Sequence, residues 1–227
     1  MMAVFRGRKF DPLQPYGVDG YAMNQKKHWE KVYSARPAEQ LGWYETHLQA
    51  SLNCIRGLGL AEDASIIDVG GGASTLVDDL LDEGYRAITV LDISEKALAS
   101  VKARLGEKAG PVTWWGGDIT SVDLPSHCYD VWHDRAVFHF LTKPEQQRKY
   151  RDHLLKALKP GGHLVIGTFA EEAPPKCSGL PVQRYRAEQL QRTLGEEFEL
   201  KHHHKELHIT PTGVEQMYLY CHLQRTA

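Results

Sequence analysis

An α/β fold built on a doubly wound, mostly parallel sheet is predicted by three features of this 227-residue sequence. Short apolar runs alternate with segments of helical periodicity, an alternation that implies parallel strands joined by right-handed crossovers. One run, Ser65-Ile66-Ile67-Asp68-Val69, ends in an acid and a Gly70-Gly71-Gly72 bend just before an amphipathic segment. The runs Val90-Leu91-Asp92-Ile93-Ser94, Trp114-Trp115-Gly116-Gly117-Asp118-Ile119 and Tyr129-Asp130-Val131-Trp132-His133-Asp134 also close on polar residues. In open α/β sheets ligands bind beyond the carboxyl ends of the strands, so Asp68, Asp92, Asp118 and His133 mark one edge as the candidate site.

The elements follow in order. Residues 1–22 carry Arg6, Arg8 and Lys9 among prolines and glycines without periodicity and are expected to form a flexible arm ahead of Met23. The rest is expected to be one domain, with lid helices over 23–60 and a core over 61–227. In the lid, Trp29 and Tyr33 lie four apart on one helical face, and Leu48, Leu52 and Ile55 form another stripe. Past the glycine bend, Leu76, Val77, Leu80 and Leu81 give a helix with one buried face. Ser94 is a good N-cap for a helix carrying Leu98, Val101 and Leu105. Thr142-Lys143-Pro144-Glu145 has the form of a capping box, opening a helix through Tyr150, Leu154 and Leu158. The last region, Phe198 to Arg225, reads as two adjacent strands around Thr210-Pro211-Thr212-Gly213, an antiparallel hairpin.

Composition narrows the function classes. With 42% hydrophobic and 25% charged residues, the chain is long enough for a well-buried core. A net charge of -2 provides no electrostatic footprint for nucleic acid or an anionic membrane. No apolar run approaches the ~20 residues of a membrane span, and no secretory signal pattern is present. Cys54, Cys128, Cys177 and Cys221 are scattered without metal-type spacing, which favours a reduced cytoplasmic protein over a disulfide or zinc scaffold. His202, His203, His204 and His208 invite a metal reading. Only three of them share a strand face, and no carboxylate or cysteine completes a set, so no metal is expected.

The glycine bend separates two cofactor classes. A dinucleotide fingerprint laid on Gly70 and Gly72 would place its third glycine at Thr75, and the Asp68 carboxylate would repel a pyrophosphate at short range. The same carboxylate suits a positively charged ligand. Together with Leu158-Lys159-Pro160-Gly161-Gly162-His163-Leu164-Val165-Ile166 before a fifth strand, the sequence resembles the class I S-adenosylmethionine-dependent methyltransferases, in which an acid precedes G-x-G-x-G. Ser74 stands in place of the last glycine. The resemblance covers roughly residues 40 to 225.

That resemblance implies a seven-stranded Rossmann-like sheet, with S-adenosylmethionine as cofactor and S-adenosylhomocysteine as product. It implies that Asp68, Gly70, Gly71 and Gly72 hold the aminoacyl end, Asp92 with Ile93 the ribose, and Asp118 with Ile119 the adenine. His133 would border both cofactor and acceptor. Asp134, Arg135 and Ala136 match a stretch found after strand four in thiopurine-type and some protein-lysine enzymes, so His133, Asp134, Arg135 and His139 are the candidate catalytic residues. A neutral His139 imidazole is the candidate base, beside the alternative that it only packs. Trp29, Trp43 and Tyr44 in the lid, Cys177 in the proline-rich 173–181 loop, and Tyr185 are candidate acceptor contacts. Cys177 also reads as a soft metalloid ligand or a passive thiol. The expected acceptor is a small molecule with an O, N or S nucleophile. Protein lysine, or cofactor binding without catalysis, are the alternatives.

Overall fold

A computed structural model describes residues 20–226, with side chains from Asn24 onward. Residues 1–19 of the expected arm lie outside the described residues, and positions 20–22 belong to the first helix, α1 (Gly20–Ala35). The helical pattern expected over 29–60 is interrupted. Pro37 has no N–H to continue a helix, and it is followed only by a single 3-10 turn, Ala38–Gln40, before α2 (Gln49–Arg56). The non-helical interval carries Trp43, Tyr44 and Glu45 across the mouth of the sheet.

Seven strands form the sheet: β1 (Ile66–Val69), β2 (Ile88–Asp92), β3 (Thr113–Gly116), β4 (Tyr129–Arg135), β5 (Leu158–Phe169), β6 (Phe198–Ile209) and β7 (Glu215–Arg225). Their order is β3-β2-β1-β4-β5-β7-β6. The first five are parallel, whereas β7 runs antiparallel to both β5 and β6. This is the expected doubly wound Rossmann-like methyltransferase architecture with its C-terminal hairpin. Chain order reverses between β1 and β4, and in that register Asp68 lies beside His133. Such a switch point opens a crevice for ligands.

Alternate residues of each central strand enter different cores, as the period of two requires. Ile66, Val90, Val131 and Val165 face α2 and the helices α3 (Leu76–Asp82) and α4 (Glu95–Leu105). Ile67, Leu91, Trp132 and Ile166 face α5 (Pro144–Ala157) and α6 (Ala187–Leu194). Ser94 caps α4 as expected, its Oγ accepting from the Ala97 N–H at 3.2 Å. The cap of α5 is one residue later than the sequence suggests: Gln146 Oε1 accepts from the Lys143 N–H at 3.1 Å, and Leu158 already begins β5. Helix α1 docks on the start of α4, where Glu30 Oε1 accepts from the Glu95 N–H at 2.8 Å. Among the described residues no helix is long and apolar enough to cross a membrane.

Candidate functional site

At the tip of β1 the chain turns through Gly70 and Gly72, both at positive φ, 70° and 42°. A Cβ on Gly72 would lie 2.5 Å from Tyr33 Oη and 2.9 Å from Asp92 Oδ2, and one on Gly71 would meet Asp68 Oδ2 at 2.6 Å. The bend is a cradle that only glycine leaves open. Beside it, Asp68 is buried, with Oδ1 accepting from His133 Nδ1 at 2.7 Å and Oδ2 left without a partner. Buried polar atoms are nearly always bonded, so the orphaned Oδ2 suits an ammonium group.

His133 orients that carboxylate. Its Nε2 is 2.8 Å from Ser51 Oγ on α2, and on the neighbouring β7 Tyr220 Oη accepts from Arg135 Nε at 2.9 Å. The Ser–His–Asp order resembles that of a hydrolytic relay, but Ser51 has no exposed surface. Here Ser51 and His133 fix a carboxylate in place. Arg135 is itself held by the Trp43 carbonyl at 2.8 Å, by Glu45, and by the Tyr218 ring 4.7 Å away. Burial alone would lower its pKa, yet Tyr220, Tyr218 and Glu45 hold it above the ordinary value. His208 Nε2 bonds the Gly42 carbonyl at 2.7 Å, tying the same lid interval to β6.

Asp92 lies at the tip of β2. Its Oδ1 accepts from the Ser94 N–H at 2.7 Å, and burial, reinforced by the Asp68 charge, pushes its pKa up to about 7. Asp118 Oδ1 takes both the N–H and the hydroxyl of Thr120 at 2.8 Å. Ile93, Asp118 and Ile119 line the same cleft as Asp92, Gly70, Arg135 and Cys177. Its roof comes from the lid: Trp29 stands edge-on to Trp43 at 5.7 Å and to Phe140 at 5.1 Å, and Tyr33 stands edge-on to Trp43 at 5.9 Å. Tyr44 lines the adjoining recess with Asp68, Gly71, Glu45 and His133.

Three expected site residues are placed otherwise. Asp134 is fully buried and braces the turn after β4, accepting from the Val137 and Phe138 N–H groups at 2.9 and 3.1 Å and from Tyr150 Oη at 2.7 Å. It pairs with neither Arg135 nor any exposed group. His139 has no exposed surface; its ring packs between Phe140 and Phe169, 4.4 and 4.8 Å away, with Nδ1 accepting from the Phe169 N–H at 3.3 Å. Burial, with the Arg135 charge, pushes its pKa down to about 3. Tyr185 is buried against Phe138 and bonds Gln147, away from the cleft. The sheet-edge histidines make no metal set: among the described residues no group of three or more ligating side chains converges.

The burial of His139 has a measurable consequence. A group held neutral to about pH 3 in the fold but protonated below about 6.5 when unfolded contributes stability that is complete above the unfolded value and lost as the pH falls toward the folded one. His139→Gln is expected to narrow the stability difference between pH 7 and pH 5 in urea unfolding. An unchanged difference would mean that the ring titrates normally.

Sequence reasoning missed Tyr33 as a site residue, along with Ser51, Glu45, Gln146 and Tyr220. Only Tyr33 left a signal, its four-residue spacing from Trp29; the others are joined to the site by contacts across as many as 90 residues.

The comparisons agree with this geometry. A methyltransferase-domain family model matches residues 66–162. A tRNA N(3)-methylcytidine methyltransferase of Schizosaccharomyces pombe is 30% identical over 171 residues, covering 70% of this chain and 68% of that protein. The eEF1A lysine and N-terminal methyltransferase of Mus musculus is 25% identical over 150 residues, covering 63% of this chain; the match spans only 21% of that relative. Among solved structures, the Burkholderia thailandensis 1,6-didemethyltoxoflavin-N1-methyltransferase with bound S-adenosylhomocysteine superposes with a TM-score of 0.67 at 18% identity, covering 97% of this chain and 99% of that one. The N-methyltransferase NodS of Bradyrhizobium japonicum in complex with S-adenosylhomocysteine gives 0.68 at 17% identity, covering 88% of this chain and 100% of that one. An orphaned acid beside an open glycine cradle, on this strand order and among these relatives, leads to one conclusion: the chain belongs to the class I methyltransferases that use S-adenosylmethionine.

Proposed function

We propose that the protein transfers the methyl group of S-adenosylmethionine to an O, N or S nucleophile of a small molecule. When bound, the cofactor supplies an electrophilic sulfonium methyl; the residues of the chain bind, orient and exclude water. Asp68 Oδ2 receives the ammonium end, Gly70 to Gly72 leave room for it, Asp92 accepts from the ribose hydroxyls, and Asp118 with Ile119 meets the adenine. Trp29, Tyr33, Trp43, Phe140 and Leu141 then wall the acceptor side.

One observation carries the acceptor class. The carboxylates lining the cleft among the described residues are Asp92 and Asp118, both on the cofactor side, so a lysine ammonium would find no counter-ion. With His139 packed away, the acceptor side also lacks an imidazole base. Catalysis then rests on positioning in a dry site, which suits a nucleophile that needs little proton removal, such as a thiolate, a heteroaromatic nitrogen or an acidic phenol.

Calorimetric titration is expected to show heat with S-adenosylmethionine and none with NAD. Incubation with labelled methyl donor and separate panels of thiols, phenols, heteroaromatic amines, bulk tRNA and whole-cell protein is expected to label small molecules. The names of the relatives favour protein or tRNA acceptors, and label confined to those two fractions would replace the small-molecule reading with one of them.

A further inference from the structure

Trp43 and Cys177 border two spaces. One is the cleft; the other is a separate cavity of about 450 Å³ between α1, the lid interval and the start of β7. Its described lining contains two cations, Lys31 and Arg36, and no carboxylate. Neither cation has an ion-pair partner among the described residues. Two solvent-exposed cations on one cavity wall, with no carboxylate in the described lining to neutralise them, have the chemistry of an anion site.

We propose that this cavity seats the anionic tail, a carboxylate or a phosphate, of the small methyl acceptor, whose nucleophilic end passes between Trp43 and Cys177 into the cleft. The assignment rests on the small-molecule reading above and adds what it lacks, a feature of the acceptor that the protein recognises away from the reacting atom. It also gives the lid a part in selection: α1 and the residue that follows it supply Lys31 and Arg36 to the tail, and the inward side of α1 supplies Trp29 and Tyr33 to the cleft. Uncharged analogues would lose the attraction while still fitting the aromatic walls.

The test uses the full chain saturated with S-adenosylhomocysteine and three calorimetric probes: 4-hydroxyphenylacetate, 4-hydroxyphenyl phosphate and the uncharged 4-hydroxyphenylacetamide. At least one acid is expected to bind about tenfold more tightly than the amide at low salt, the order of effect of two partly exposed charge-assisted contacts. That advantage is expected to shrink at high salt and to vanish in K31Q/R36Q, with S-adenosylhomocysteine binding unchanged as the control for folding. The ratio of the two acids identifies carboxylate or phosphate as the preferred tail. Equal binding of acid and amide, no binding of either acid, or an advantage retained in K31Q/R36Q would each overturn the proposal and leave the methyltransferase reading standing. Binding of bulk tRNA that K31Q/R36Q abolishes, with no binding of the acids, would overturn it in favour of a nucleic-acid backbone. Loss of S-adenosylhomocysteine binding by the unmodified protein would remove both readings together.

Discussion

Asp92→Asn is expected to weaken S-adenosylmethionine binding by about 1.5–3 kcal/mol while making the ligand-free protein more stable at neutral pH. The first effect follows from the proposed ribose role, because an amide oxygen is a weaker acceptor than a carboxylate and its N–H₂ group faces the hydroxyls as a second donor. The second follows from burial. A carboxyl whose pKa is near 3.9 unfolded but about 7 folded binds more protons folded than unfolded between those values. Its contribution to stability is complete below about pH 4 and is lost as the pH rises through about 7. Asparagine does not ionise and keeps that stability. Each kcal/mol gained would appear as about 2–4 °C in a thermal melt at pH 8. Melts at pH 5 and pH 8, with calorimetric titration of the cofactor, separate the two effects. Near-normal affinity would show that the ribose lies elsewhere, and an unchanged melt at pH 8 would show that Asp92 ionises freely in the empty cleft.

Arg135→Met is expected to cost about 3 kcal/mol, the lower end of the range for breaking a buried ion pair, because its partner Glu45 is about a quarter exposed (28%). Methionine fills much of the space but leaves the Trp43 carbonyl and the Tyr220 hydroxyl short of a donor. The Glu45 carboxylate, whose pKa burial would raise but His208 and Arg135 hold below the ordinary range, would lose its guanidinium partner. The double variant Glu45→Gln/Arg135→Met is therefore expected to lose less than the sum of the single variants. Urea unfolding of all three measures this. A loss under about 1 kcal/mol for the single arginine variant would mean that the site relaxes or hydrates, against the range for buried pairs, and that the lid is tied down by other contacts.

The two substitutions differ in what made them visible. Asp92 announced itself in the sequence, as the acid at the end of an apolar run about twenty residues after a glycine bend. Arg135 was visible only through the Asp134-Arg135-Ala136 stretch at the end of β4, with no sign of what it would hold. Its neighbours Glu45, Tyr218 and Tyr220 are far away along the chain, and nothing local identifies them. The same limit explains the placement of His139 and Asp134. From sequence, both follow a strand tip and both are polar, which reads as chemistry. In the fold, the 3-10 turn after β4 folds His139 under Phe140 and turns the Asp134 carboxylate onto the backbone N–H groups of that turn. The capping frame of α5 slipped for a simpler reason: Thr142-x-x-Glu145 and Lys143-x-x-Gln146 overlap, and proline at the first helical position selects the second.

Local patterning by itself determined the sheet, the hairpin and the three acidic strand tips, because a buried parallel strand must be apolar along its length and its end must turn where the side chains change character. Tertiary structure alone decided which polar residues face a ligand and which serve as braces. It joined Ser51 of α2 and His133 of β4 into a hydrogen-bonded series behind Asp68, and it laid α1 so that Tyr33 faces the glycine bend while Lys31, with Arg36 just past the helix, lines a second cavity. The orientation of a side chain toward solvent, ligand or neighbour depends on elements brought together from across the chain, and no short window of sequence contains that information.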